Sequence, residues 1–127
     1  MRTTERYSWR NENPLGRNVG DCTVRAISTA LDQEWDTTYI GLCLEGYLLK
    51  DMPSSNEVWG SYLRSRGWSR FPIKYGMTVL EFADAYNKGT YILSLRSHVV
   101  AVINGEILDS WNSGNEIALY YWSRERK

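Results

Sequence analysis

The fold turns on one stretch: Ser97-His98-Val99-Val100-Ala101-Val102-Ile103-Asn104-Gly105-Glu106-Ile107-Leu108-Asp109-Ser110-Trp111. From His98 to Ile103 the side chains are mostly β-branched, the kind that packs well on a pleated surface. Asn104-Gly105 follows, and both residues accept the positive φ that a type I′ hairpin turn demands. Glu106 to Trp111 is then the returning strand. Such a turn pairs Ile103 with Glu106 and, carried outward, His98 with Trp111. Asp109 falls on the same face as His98 and diagonal to it, within reach of a long side chain.

Outward from this hairpin, Tyr91 to Leu95 reads as a preceding strand and Ile117 to Trp122 as a last one. Upstream the period is helical. Gly20 or Asp21 caps a helix running to about Asp32, with Val24, Ile27 and Leu31 on one face. Asp36 is the expected cap of a second helix, whose buried stripe is expected to be Tyr39, Ile40, Cys43, Leu44, Tyr47 and Leu48. Ser54 with Glu57 forms a capping-box signature for a third helix carrying Val58, Trp59, Tyr62 and Leu63, stopped at Gly67. Thr78 with Glu81 repeats that signature for a fourth, with Leu80, Phe82, Ala83 and Tyr86 on its apolar face and its end near Gly89. Helices first and a meandering antiparallel sheet after predict an α+β fold. Residues 1–127 are expected to form one domain, with 1–19 as an irregular arm rich in Asn, Pro and Gly.

Composition narrows the function classes. The chain has 127 residues with 43% apolar side chains, enough for one core. Fifteen basic and fifteen acidic residues cancel, so no global field draws the protein to nucleic acid or to a membrane. The basic ends, Arg2, Arg6, Arg10 and Arg17 at one and Arg124, Arg126 and Lys127 at the other, read as solvated. Met1 precedes polar residues without an apolar signal core, and no stretch reaches membrane-spanning length, so a cytoplasmic chain is expected. Two cysteines are too few for a disulfide scaffold. The expected state is two reduced thiols, with Cys43 a small core residue.

Cys22 stands in Gly20-Asp21-Cys22-Thr23-Val24-Arg25-Ala26, where an irregular segment turns into a helix. A thiol is a weak nucleophile while protonated. The positive end of a helix and a nearby imidazolium both stabilise the thiolate. His98, the sole histidine, would carry the proton, and Asp109 would fix its tautomer. Asp21 opposes this arrangement unless its carboxylate turns away from the sulfur. Trp111, opposite His98, would shield the imidazole–carboxylate contact from water. The first-turn N–H of Cys22 would help bind an oxyanion.

Those residues resemble the papain-like cysteine peptidase superfamily, in which a Cys begins the long helix, a His lies on a strand of the following sheet and an Asn or Asp on the next strand orients it. Asp109-Ser110-Trp111-Asn112 is similar to the Asn-Ser-Trp-Gly motif of papain-type enzymes. Gly20-Asp21-Cys22 resembles the Asp-Cys-Ser-Gly start of bacterial cell-wall endopeptidases, and Cys22 to Ala26 the helix start of ovarian-tumour-type deubiquitinases. Papain-type enzymes place a Gln six residues before the Cys for the oxyanion hole. Gly16 stands there in this chain, and the resemblance makes Asn18 the substitute. The cell-wall enzymes usually have a second His where Asp109 stands, and the deubiquitinases an Asp at the position of Val19.

The resemblance implies a thiol hydrolase acting on a peptide, isopeptide or amide bond of a peptide or protein, with Cys22, His98 and Asp109 catalytic and Asn18 and Trp111 contacting oxyanion or substrate. Transglutaminase chemistry uses the same trio. A cell-wall amidase would need an export route such as phage delivery. No cofactor is expected and no metal, since one His and two separated Cys give no ligand cluster. The alternative is a non-catalytic module that binds peptide or nucleic acid through its aromatic surface on the same scaffold.

Overall fold

The computed structural model describes residues 6–124. Arg2, Arg126 and Lys127 of the two basic ends lie outside the described residues. The elements in chain order are β1 (Tyr7–Trp9), α1 (Cys22–Leu31), α2 (Trp35–Leu49), α3 (Asn56–Arg64), β2 (Trp68–Pro72), α4 (Val79–Ala85), β3 (Thr90–Leu95), β4 (Val99–Ile103), β5 (Glu106–Asp109) and β6 (Ala118–Arg124). The fold is α+β, and its six strands form one sheet in the order β1-β5-β4-β3-β6-β2.

The central hairpin has the expected register: Ile103 pairs with Glu106, Val102 with Ile107 and Ala101 with Leu108. Asn104 (φ 50°) and Gly105 (φ 78°) take the left-handed conformations that such a turn requires. The sheet is mixed, however, not a simple antiparallel meander. After β5 the chain leaves the sheet edge, and β6 returns antiparallel to β3 on the far side. The vacated edge of β5 is taken by β1, in parallel register from Tyr7–Ile107 to Trp9–Asp109. Part of the expected irregular arm is therefore a strand that satisfies an otherwise open ladder. β2 carries no alternation in its Trp-Ser-Arg-Phe-Pro sequence, and it lies on the other edge, where a proline is tolerated.

Both faces of the sheet are covered. On one, Ile27, Trp59, Tyr62 and Leu63 from α1 and α3 pack on Ile92, Ala101 and Trp122. On the other, Val79, Phe82 and Ala83 of α4 pack on Leu93, Val100, Val102 and Ile107. This double burial explains why β4 is apolar at every position: neither face of the strand meets water.

Helix boundaries follow capping chemistry. Thr78 and Glu81 form the expected reciprocal box at α4. At α3 the cap is Ser55, not Ser54: its hydroxyl accepts from the Val58 N–H at 3.2 Å and is itself tied to Asp51. At α2 the cap is Glu34, which places Asp36 within the first turn.

The larger correction concerns the stripe of α2. Its buried residues are Thr38, Leu42 and Gly46, while Tyr39, Ile40, Leu44, Tyr47 and Leu48 are exposed and Cys43 half-buried. The helix packs on α1 and α3 as an outer layer, with Gly41 so close to the Tyr62 ring that a Cβ would fall 2.6 Å from it. Thr38, Gly41, Leu42 and Gly46 make that inner contact, and most of the large apolar residues point outward.

Candidate active site

Cys22 is the first residue of α1, and Asp21 precedes it as the N-cap residue. The Asp21 side chain makes no capping bond. Its Oδ1 accepts from Arg25 Nε at 2.9 Å, and its Oδ2 from Trp35 Nε1 at 2.9 Å and Asn13 Nδ2 at 3.4 Å. The carboxylate is thus held by partners other than the thiol. Because Asp21 leaves the start of α1 without a side-chain cap, the partial positive charge of the helix end stays available at Cys22.

His98 lies in the short connection just before β4, and its carbonyl accepts from the Leu95 N–H at 2.8 Å. This closes the turn after the register shift at Ser94–Leu95. Asp109 is the last residue of β5. His98 Nε2 donates to Asp109 Oδ2 at 2.6 Å, so Nδ1 is the ring nitrogen left free, and the imidazole lies near enough to the Cys22 thiol for each to shift the other's titration. Trp111 lies past the end of β5 yet still flanks the ring, with centroids 4.8 Å apart.

Asp109 is the hub. Only 2% exposed, its Oδ1 accepts from Arg25 at 3.1 Å and from the Ser110 N–H at 2.8 Å. Its Oδ2 accepts from Ser113 Oγ at 2.9 Å as well as from His98. Its carbonyl accepts from the Tyr7 hydroxyl at 3.2 Å and the Arg10 N–H at 2.8 Å. The N-terminal segment and α1 therefore clamp this one residue from two sides.

The electrostatics converge on a charged pair. Burial pushes the Cys22 thiol up, but the hydrogen bond and charge of His98, the Val99 N–H and the charge of Arg25 more than offset it, leaving the thiol below its ordinary value. For His98, burial pulls down while Asp109 and Cys22 pull up through hydrogen bonds and charge, and the imidazole rises to about 9. Asp109 is lowered: its hydrogen bonds to His98, Ser113 and Ser110 outweigh its burial. A lowered thiol beside a raised imidazole favours a thiolate–imidazolium pair, the nucleophilic form of such a site.

The structure brings Cys22, His98, Asp109 and Trp111 together. Asn18 is exposed, and its side chain has no hydrogen-bond partner among the described residues. Arg25, Ser113 and Tyr7 were not singled out from the sequence. Arg25 had a legible signal, since Asp21 and Arg25 stand at the i, i+4 spacing of a helical ion pair. Ser113 and Tyr7 had none, because their contacts depend on the path of the loop after β5 and on the pairing of β1.

A cavity of about 570 Å³ opens beside the ring, lined by Leu95, Arg96, Ser97, His98, Trp111, Glu116, Ile117 and Leu119. A second, of about 730 Å³, lies before the nucleophile and is lined in part by Leu15, Val19, Gly20, Asp21, Thr23, Trp35 and Tyr39. Among the described residues no group of three or more His, Cys, Asp or Glu side chains could hold a metal ion, and no helix is long and apolar enough to cross a membrane. No family model, no curated protein and no solved structure matches the chain.

Proposed function

We propose that this chain is a papain-like thiol hydrolase that cleaves a peptide, isopeptide or amide bond in a peptide or protein. One observation carries the reading: a thiol at a helix start, lowered by an imidazole whose Nε2 donates to the buried Asp109 at 2.6 Å. The order Cys, His, Asp along the chain, with α1 packed on the strand that follows His98, supports the papain-like assignment.

In this reading the Cys22 thiolate attacks the carbonyl carbon, and negative charge develops on the carbonyl oxygen near the Cys22 N–H and Asn18. The His98 imidazolium gives its proton to the leaving amine, so the C–N bond breaks and a thioester forms. Water then attacks the thioester while the neutral imidazole takes its proton. The carboxylate product leaves, and the thiolate–imidazolium pair is restored. Asp109 keeps Nδ1 aimed at the sulfur through both steps. Trp111, packed against the ring, limits the access of water that would compete for the carboxylate.

The test is iodoacetamide labelling at pH 6, read by peptide mass spectrometry, together with turnover of quenched peptide and isopeptide libraries. Cys22 should alkylate at least tenfold faster than Cys43, and His98→Ala should abolish the difference. Equal, slow labelling of both thiols with no turnover sinks the hydrolase reading and leaves a binding module.

A further inference from the structure

The outer face of α2 is the largest feature that the site does not use. Ile40, Leu44, Tyr47 and Leu48 recur at the spacing of one helical stripe, and with Met52 just beyond the helix they are 57–68% exposed. Taking roughly 200 Å² for a fully exposed side chain of this size, the five present about 640 Å². A typical monomer's largest apolar patch is about 300–600 Å², and two such faces together give about 1,280 Å², within the roughly 1,200–2,000 Å² that standard stable interfaces bury.

We infer that α2 is the two-fold interface of a homodimer, with α2 of one copy packed antiparallel on α2 of the other about Leu44. The stripe is nearly palindromic about that residue, with Ile40 one turn before and Leu48 one turn after. An isologous contact needs this self-complementarity, because each residue must meet its symmetry mate's counterpart. Charge fixes the direction. Asp36, in the first turn of α2, and Lys50, its C-cap, lie on the same flank of the stripe and at opposite ends. Antiparallel packing brings like flanks together, so each Asp36 meets the other copy's Lys50, twice per dimer. Parallel two-fold packing would bring opposite flanks together and leave both Asp36 and Lys50 without this cross-helix partner.

The polar ends also argue against a lipid surface. Glu34, Asp36 and Asp51 border the stripe, where a helix lying on anionic lipid would carry lysines and arginines. Inward, Gly41 and Gly46 let α2 sit close on α3 and on the Asp51–Pro53 turn. The stripe is thereby presented on a supported helix, which lowers the ordering cost of association.

Sedimentation velocity on the full chain from 1 to 100 µM decides the matter. The wild type should be dimeric over the upper part of that range. Leu44→Glu, at an exposed position, should be monomeric throughout with an unchanged far-UV spectrum and melting temperature. Asp36→Lys and Lys50→Glu should each weaken the dimer at least tenfold, and an equimolar mixture of the two should recover it as a heterodimer. A monomeric wild type at 100 µM, a dimer indifferent to Leu44→Glu, or a mixture that stays dissociated overturns the inference. None of these readouts depends on the thiol chemistry.

Discussion

Replacing Asp109 by Asn separates the charge of the orienting group from its shape. His98 stands at about 9 against an ordinary 6.5, which corresponds to about 3 kcal/mol in favour of the imidazolium. The ring borders an open cavity, so solvent screening reduces what that preference contributes to stability to about 1–2 kcal/mol. An opposite charge in contact raises an imidazole by roughly one to three pH units, and the asparagine should lower His98 by an amount in that range while its amide still positions the ring. Because the chain has a single histidine, its Cε1–H resonance reports the titration without assignment work. The thiolate loses support in step with its partner. Alkylation of Cys22 by iodoacetamide at pH 7 should therefore slow about tenfold, the factor attached to 1.4 kcal/mol. Asp109→Ala, which loses the orientation as well, should slow it further. A wild-type His98 titrating at or below 6.5, or an asparagine variant with an unchanged titration, refutes the electrostatic account.

Two further expectations concern stability. Between about pH 6.5 and 9 the stability that the raised His98 loses as pH rises is opposed by the stability that the lowered Cys22 gains, so the two slopes offset each other. Cys22→Ser removes the thiol's half of that balance. The raised His98 then contributes stability that is full below 6.5 and lost as pH rises through its folded value; urea titrations from pH 6 to 9 should show a steeper decline than the wild type, and parallel curves would contradict the paired titration. Arg25→Met leaves the buried Asp21 and Asp109 carboxylates without their shared cation and should cost about 3–5 kcal/mol at neutral pH. The deficit should shrink as acid protonates Asp109, and a loss under 1 kcal/mol by urea unfolding would show that the network is not coupled.

What the sequence made legible was whatever depends on local chemistry. The type I′ turn at Asn104-Gly105 set the register of β4 on β5, and that register placed Asp109 and Trp111 at His98. The Thr78–Glu81 box located α4 for the same reason, since both halves of the cap lie within one turn. Strand partners were not legible, because pairing is chosen by the whole fold: β6 joins β3 and β1 takes the edge of β5. The inversion of α2 has another cause. Apolar spacing identifies a stripe but not what it faces, and here Thr38, Gly41, Leu42 and Gly46 make the intramolecular contact while Ile40, Leu44, Tyr47 and Leu48 face outward.

The placing of Asp21 beside the nucleophile, which opposes a thiolate on charge grounds, makes physical sense once Arg25 is taken with it. A bare carboxylate next to Cys22 would raise the thiol. Bound to a guanidinium one helical turn on, it becomes the anchor that holds Arg25 in place at 8% exposure. Arg25 then faces three ways: it neutralises Asp21, it fixes Asp109, and its charge lowers Cys22. The remaining oxygen of Asp21 ties this turn to Trp35 at the start of α2. A single turn of α1 thereby sets the position of the thiol relative to a carboxylate at the end of β5, far away in sequence. Geometry of that kind cannot be kept by the His98–Asp109 contact alone, since both residues sit at strand ends where the ladder stops. The buried ion pairs are therefore better understood as fixing relative position than as adding net stability, since the cost of desolvating buried charges offsets much of their attraction.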